Sequence, residues 1–427
     1  MKALNITDFV FKFTDKAKPV LSKLLPVEWL RAVKKIMVQR CVDKIGNNAF
    51  KKLGSHSLLD GVNLIGYIKG EIGLGQSMRL LARALDASDF PFTIYNYQQV
   101  SVMRFGDSEW DSKITNTVPY NINIFHINPY ELPIAFSRLG RKVWDSRYNI
   151  GFWLWELEQF PESWIPSINL VDEIWTPSDF SAAAIKKVTD KPVYTMPYPL
   201  TAPADTEFGR SFFGLPEEKY LYLVMYDSNS TMERKNPLGA VRAFKTAFAP
   251  DDKSVGLVLK INNAQKKDLD IIQKEILGYK NIYQIAEILS KIQVNSLIAC
   301  ADVFVSLHRA EGFGLPLAEA MLIGTPVIAT NWSSTTEFMS QDKACLVDFE
   351  FVEIKKQVGA YEKGQRWAEP DVGQAAQYMR RLFEDRAYAA QQAKKAQDYI
   401  SDKLSVSRAV GKVNARVLGI YNCLQRS

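Results

Sequence analysis

Cysteine is scarce, long apolar runs are missing, and neither sign of charge dominates. The four cysteines, Cys41, Cys300, Cys345 and Cys423, fall at no metal or redox spacing. That argues against a metal cluster or a disulfide framework and predicts ordinary thiols in a reducing compartment. No stretch approaches the ~18 apolar residues of a membrane-spanning helix. The chain also lacks short internal repeats and low-complexity tracts. What is present is the balance of a globular protein: 427 residues, 47% hydrophobic and 23% charged, with a net charge of +6 from 53 Lys+Arg against 47 Asp+Glu. At roughly 150 residues per domain, two domains are the better expectation.

The small charge excess is unevenly placed. Residues 1–56 carry 12 Lys+Arg against 4 Asp+Glu, and the remainder 41 against 43. The basic segment has neither the clean apolar core nor the cleavage site of a signal peptide. Pro26 suits a helix start, and Leu30, Val33, Met37 and Cys41 recur at helical spacing, with Arg31, Lys34, Lys35 and Lys44 largely off that stripe. Such a helix can rest on an anionic membrane surface or pack on the protein's own body, and both readings stay open. The expected location is the cytoplasm, with peripheral attachment to the inner face of the membrane if the first reading holds.

From Val62 onward, strand and helix patterns alternate. Val62–Ile68, Phe92–Tyr97, Asn121–Ile127, Tyr148–Trp155 and Glu173–Thr176 read as strands, and Ser77–Leu85 as an amphipathic helix after a glycine-bearing loop, Gly70 to Gly75. The alternation stops near Pro197–Pro203 and restarts at Tyr220–Tyr226. The pattern predicts an α/β protein with two parallel-sheet domains facing a cleft. The expected divisions are 1–56, a basic helical extension; 57–205, a first α/β domain; 206–400, a second α/β domain; and 401–427, a C-terminal helix that could pack back on the first domain.

The sharpest segment runs from Ser306 to Met321. It leaves a buried strand, turns through Gly312 and Gly314, and enters a helix. Glycines let backbone approach a ligand, and a helix N-terminus suits a phosphate. Glu311 lies in the loop and Glu319 about one turn into the helix, with seven residues between them. A carboxylate can accept two hydrogen bonds from a vicinal diol, though near a helix start it can also simply favour the dipole. Arg234 and Lys235 follow the strand Tyr220–Tyr226, where they can reach the cleft; Lys260, ending the next strand, is a weaker candidate for the same task.

The Glu311…Glu319 pair resembles the EX7E motif of retaining GT-B glycosyltransferases, in particular family 4, the group 1 class. Gly324-Thr-Pro-Val-Ile-Ala-Thr330, Asp227 to Pro237, Ile65 to Gly75 and Phe125-His126-Ile-Asn128 extend the likeness over roughly residues 60 to 400. The Gly151–Pro161 and Trp175–Ser178 stretches resemble a subgroup common in bacterial polysaccharide clusters. The resemblance implies two Rossmann-like domains and transfer of a hexose-type sugar, with retention, from a nucleotide-diphosphate donor to a glycan or lipid-linked polysaccharide precursor. It implies Glu311 and His126 at the reacting centre. Arg234, Lys235 and the backbone of Gly312, Phe313, Gly314 and Leu315 would meet the donor diphosphate, and Glu319 its ribose, while Gly73 and Gly75 leave room. The arginine usual a few residues upstream of Arg234 is absent, and Arg234 stands in for it.

No metal and no cofactor are expected beyond the sugar nucleotide, and no nucleic acid partner. Asp268-Leu-Asp270 has the form of a metal-binding pair but opens a predicted helix, where acids favour the dipole. Trp153, Trp155 and Trp164 are expected mainly in the core, with a minor claim to sugar stacking; Glu156 and Glu158 have a minor claim to the acceptor. The alternatives are another GT-B enzyme, such as a nucleotide-sugar epimerase or a phosphorylase, and a non-catalytic sugar-binding assembly subunit.

Overall fold

The computed structural model describes residues 36, 39, 40, 58–88, 90–98, 104 and 106–426. The basic segment therefore lies almost wholly outside the described residues; Ile36, Gln39 and Arg40 are helical and exposed. Of the helix expected from Pro26 onward, nothing else is described.

Two six-stranded sheets carry the chain. The first contains β1 (Leu59–Gly66), β2 (Phe92–Asn96), β3 (Tyr120–His126), β4 (Tyr148–Phe152), β5 (Glu173–Thr176) and β6 (Val193–Thr195), in the order β2-β1-β3-β4-β5-β6. The second contains β7 (Tyr220–Asp227), β8 (Val255–Asn262), β9 (Ile282–Ile285), β10 (Val303–Ser306), β11 (Val327–Thr330) and β12 (Cys345–Val347), in the order β12-β11-β10-β7-β8-β9. All pairings within both sheets are parallel. Parallel strands need crossovers and bury both faces, which is why β7 and β8 read as nearly unbroken apolar runs.

In the first sheet, the register is pinned by a buried amide ladder. Asn63 Nδ2 donates to Asn123 Oδ1 at 2.9 Å, and Asn123 Nδ2 to Asn149 Oδ1 at 2.9 Å, linking β1, β3 and β4. A one-residue slip would strand all three amides away from their partners.

No strand or helix occupies residues 196–219, which include Pro197–Pro203, where the alternation is expected to stop. After β12 an antiparallel hairpin, β13 (Phe349–Glu353) and β14 (Arg366–Pro370), leaves the second sheet. The helix Val406–Arg426 then returns to the first domain. It lies against the helix Gly73–Asp86, Arg416 pairs with the fully buried Glu173 on β5, and the Tyr421 ring stacks on Phe90 at 5.5 Å.

Open parallel sheets bind ligands where the strand order reverses, beyond the carboxyl ends of the strands. In the second sheet that point lies between β7 and β10, and in the first between β1 and β3. The segments after these four strands are the ones the motifs single out.

Candidate active site at the two switch points

After β7, Asp227 closes a tight turn by accepting from Asn229 N at 2.8 Å, and Thr231 (φ 71°) leads into one helical turn, Met232–Lys235. Asn236, at φ 50°, ends this turn and caps the next helix through Gly239 N. Its amide also donates to Leu307 O at 2.9 Å, while Arg309 N donates to Arg234 O at 2.8 Å. These bonds lock the loop after β7 to the loop after β10.

Arg234, Lys235 and Glu311 converge as a result. The Lys235 ammonium and Glu311 Oε2 form a short ion pair, and Arg234 Nη1 lies 3.4 Å from the same oxygen while donating to Ala310 O at 2.9 Å. Burial pushes the Glu311 carboxyl up, but Lys235 and then Arg234 outweigh it and hold the group at about 2. Burial lowers the Lys235 ammonium below the usual lysine range. The Glu311 backbone is fixed at both ends: its N–H donates to Ser333 Oγ at 3.1 Å and its carbonyl accepts from Ser334 Oγ at 2.7 Å.

Gly312 and Gly314 have separate reasons to be glycine. A Cβ on Gly312 would stand 3.3 Å from Trp155 O and 3.5 Å from Glu156 Cγ, so the first domain presses directly on this loop. Gly314 sits at φ +90° as the N-cap of the helix Leu315–Ile323, and a Cβ there would meet Thr335 Cγ2 at 2.7 Å. Gly314 is buried and Leu315 half-buried, no side chain caps this helix start, and a Cβ on Gly314 would stand 3.5 Å from Glu311 Cγ. Phe313 differs from its neighbours: its ring packs on Tyr198 and Phe338 at 4.8 and 5.6 Å between centroids, so only its backbone is offered to a ligand. Glu319, 2% exposed on the same helix, pairs with Lys291 Nζ at 2.6 Å.

The remaining expected residues sit at the other switch point. His126 ends β3, but its ring is fully buried. It stacks on Phe152 and its Nε2 shares a 2.8 Å hydrogen bond with Ser77 Oγ. Burial lowers its pKa to about 3, so it is neutral at ordinary pH. In this structure it lines no open surface. Gly75 is a packing residue, since a Cβ would fall 2.0 Å from Gly70 O in the tight turn after β1; Gly73 faces open space. Lys260 is buried on β8 and bonded to Asn262 Oδ1 at 2.6 Å, with burial lowering its pKa to about 8. His308 and Arg309 shape the loop. His308 is buried against Ser306 Oγ and Trp332 O, and Arg309 forks onto Glu369 of β14.

Three contributors escaped the motif reading or stood low in it. Lys291 pairs with Glu319 but belongs to no motif. The Tyr361 hydroxyl, from the β13–β14 hairpin, donates to Glu156 Oε2 at 3.2 Å, bringing a first-domain carboxylate within electrostatic reach of Arg234 and Lys235. Around this point Ser178 Oγ donates to Gly312 O at 2.8 Å, and the Glu337 carboxylate accepts from the N–H groups of Asp179 and Phe180 at 3.0 and 2.7 Å. The two domains are thus in contact at the site. Trp153 and Trp155 are fully buried and Trp164 nearly so, all in the core. Asp268 and Asp270 lie in the first half of the helix Lys266–Glu275, and no metal-holding cluster occurs among the described residues.

Residues 235–357 match the family model described as glycosyl transferases group 1. No curated protein matches the chain. Anabaena HepE, solved with UDP and glucose, superposes with a TM-score of 0.63 at 12% identity, covering 84% of this chain and all of that one. The fold is GT-B. Sucrose-phosphate synthase from Thermosynechococcus elongatus gives 0.62 at 13% identity over 86% of this chain and 100% of that one. Staphylococcus aureus TarM gives 0.52 at 14% identity, over 69% of this chain and 55% of its own. The matched group 1 segment begins at Lys235 and takes in Glu311 and Glu319, so it spans the second-domain side of this site.

Proposed function

We propose that the chain is a retaining, metal-independent glycosyltransferase of the family 4 kind. It moves a hexose from a nucleotide-diphosphate donor to a glycan or a lipid-linked polysaccharide precursor. The observation that carries this is the convergence of Arg234, Lys235 and Glu311 at the switch point of the second sheet, beside the helix start at Gly314 and Leu315, which no side chain caps. Glycosyl transfer builds positive charge on the sugar ring while negative charge grows on the departing diphosphate. Two fixed cations and a helix N-terminus stabilise that charge without rearranging. Glu311 faces the sugar, and Glu319, one turn deeper, suits the ribose diol. The UDP and glucose held by HepE favour a uridine donor. Residues 1–45 are proposed to rest on an anionic membrane surface, next to a lipid-linked acceptor.

A panel of UDP, GDP and ADP sugars screened by thermal shift tests the donor, because a ligand at 100 times its Kd stabilises the native state by ~2.7 kcal/mol. With the active donor, NMR of the product should show the donor's anomeric configuration, and EDTA should leave the rate unchanged. An inverted product or an EDTA-sensitive rate would remove the corresponding part of the proposal. No stabilisation by any member would remove the whole.

A further inference from the structure

The Lys291–Glu319 ion pair is not explained by the fold around it. Lys291 is the first residue of a ten-residue helix, Lys291–Cys300, whose start is already fixed by a capping box between Ser290 and Gln293. A cation there opposes the helix dipole, and no acidic residue in the first turn offsets it. Its ammonium reaches instead to Glu319 Oε1 at 2.6 Å, on a neighbouring helix. The two partners are unequal: the Glu319 side chain is 3% exposed and that of Lys291 38%. The lysine therefore comes from the solvent side onto a carboxylate that is itself almost wholly buried. Ile288 and Ile292, both exposed, flank it in sequence just past the carboxyl end of β9.

We propose that Lys291 is a positioning residue that aims the Glu319 carboxylate at the ribose of the donor, and so sets discrimination between ribo- and deoxyribonucleotides. This rests on the donor reading given under Proposed function. A carboxylate offers about four lone-pair directions. The ammonium holds Oε1 by charge and leaves the directions around Oε2 free for the hydroxyls of a vicinal diol. Without the ammonium, a buried carboxylate loses its partner cation and is free to rotate. Its geometry towards a diol is then lost. Sites built to hydrogen-bond a hydroxyl reject ligands that lack it, because the buried partner is left unpaired. Lys291 acts by keeping Glu319 such a partner.

The test is calorimetric titration of the full chain with UDP, GDP and ADP and with the 2′-deoxy form of whichever binds. The wild-type protein should prefer the ribonucleotide about tenfold or more. K291M should weaken the ribonucleotide by a similar factor while leaving the deoxy form nearly unchanged, so that the ratio falls towards one. K291R should restore the ratio. Equal weakening of both nucleotides in K291M would overturn the proposal, because the lysine would then act on the phosphates or on the fold. Unchanged binding, or tighter ribonucleotide binding, would also overturn it, the latter by making Lys291 a competitor for the ribose seat. If the wild-type protein binds none of the three nucleotides, the donor reading itself fails; if it binds one and the ratio survives in K291M, only the role of Lys291 does.

Discussion

Glu311 is the residue on which the site's electrostatics turn, and its pH behaviour follows from its neighbours. Burial alone would raise its pKa; Lys235 and Arg234 bring it down from 4.5 to about 2. The folded value lies below the unfolded one, so the stabilisation it contributes is fully present above about pH 4.5 and is lost as pH falls towards 2. E311Q leaves two cations without their acid, so it should lower the urea midpoint at pH 7, and the gap to wild type should close between pH 4.5 and 2. A gap that stays constant over that range would show that the ion pairs are not what holds the loop. E311Q should also lower kcat by about 100-fold or more; full activity would exclude Glu311 from the reacting centre.

At the scale of the element, the turn into the helix Leu315–Ile323 shows both what local sequence encodes and where it stops. The two glycines and two glutamates around a strand end were enough to place this turn and its helix. Gly314 supplies the φ of +90° that only glycine adopts cheaply, and a Cβ would also strike Thr335. G314A should therefore destabilise the protein by about 1–3 kcal/mol, read as a lower urea midpoint, and should weaken nucleotide binding because the free N–H groups shift. Unaltered binding in G314A would remove the helix start from the donor site.

The hairpin β13–β14 is the opposite case. The motif gives no hint that Tyr361 will meet Glu156, 205 positions away, because that contact depends on how two domains dock and not on any local period. Gly75 shows a milder form of the same limit. A glycine beside a ligand and a glycine under a tight turn look alike in sequence, and only the 2.0 Å approach of Gly70 O tells them apart. His126 likewise stands at the strand end its motif predicts, yet its ring points into a buried pair with Ser77.

At the scale of the whole molecule, the basic charge and the chemistry occupy different parts of the chain. Residues 57–427 are nearly balanced, with 41 Lys+Arg against 43 Asp+Glu, and the proposed donor diphosphate would be met by a few placed groups with no bulk positive field. Residues 1–45 hold 10 Lys+Arg against 4 Asp+Glu. Near an anionic bilayer each such cation adds about 1 kcal/mol of attraction, falling off within a Debye length of ~10 Å at 0.1 M salt. Among the described residues no helix is long and apolar enough to cross a membrane, and the attachment proposed for residues 1–45 rests on surface charge and an apolar stripe. The full chain should sediment with phosphatidylserine vesicles at 0.1 M salt and be largely released at 0.5 M. Deleting residues 1–45 should abolish sedimentation while leaving the thermal shift with a nucleotide sugar intact, since both switch points lie beyond the cut. If the truncated protein still sediments, the segment packs on the body and membrane contact must be sought elsewhere. If truncation removes the nucleotide response instead, the basic segment belongs to the donor site.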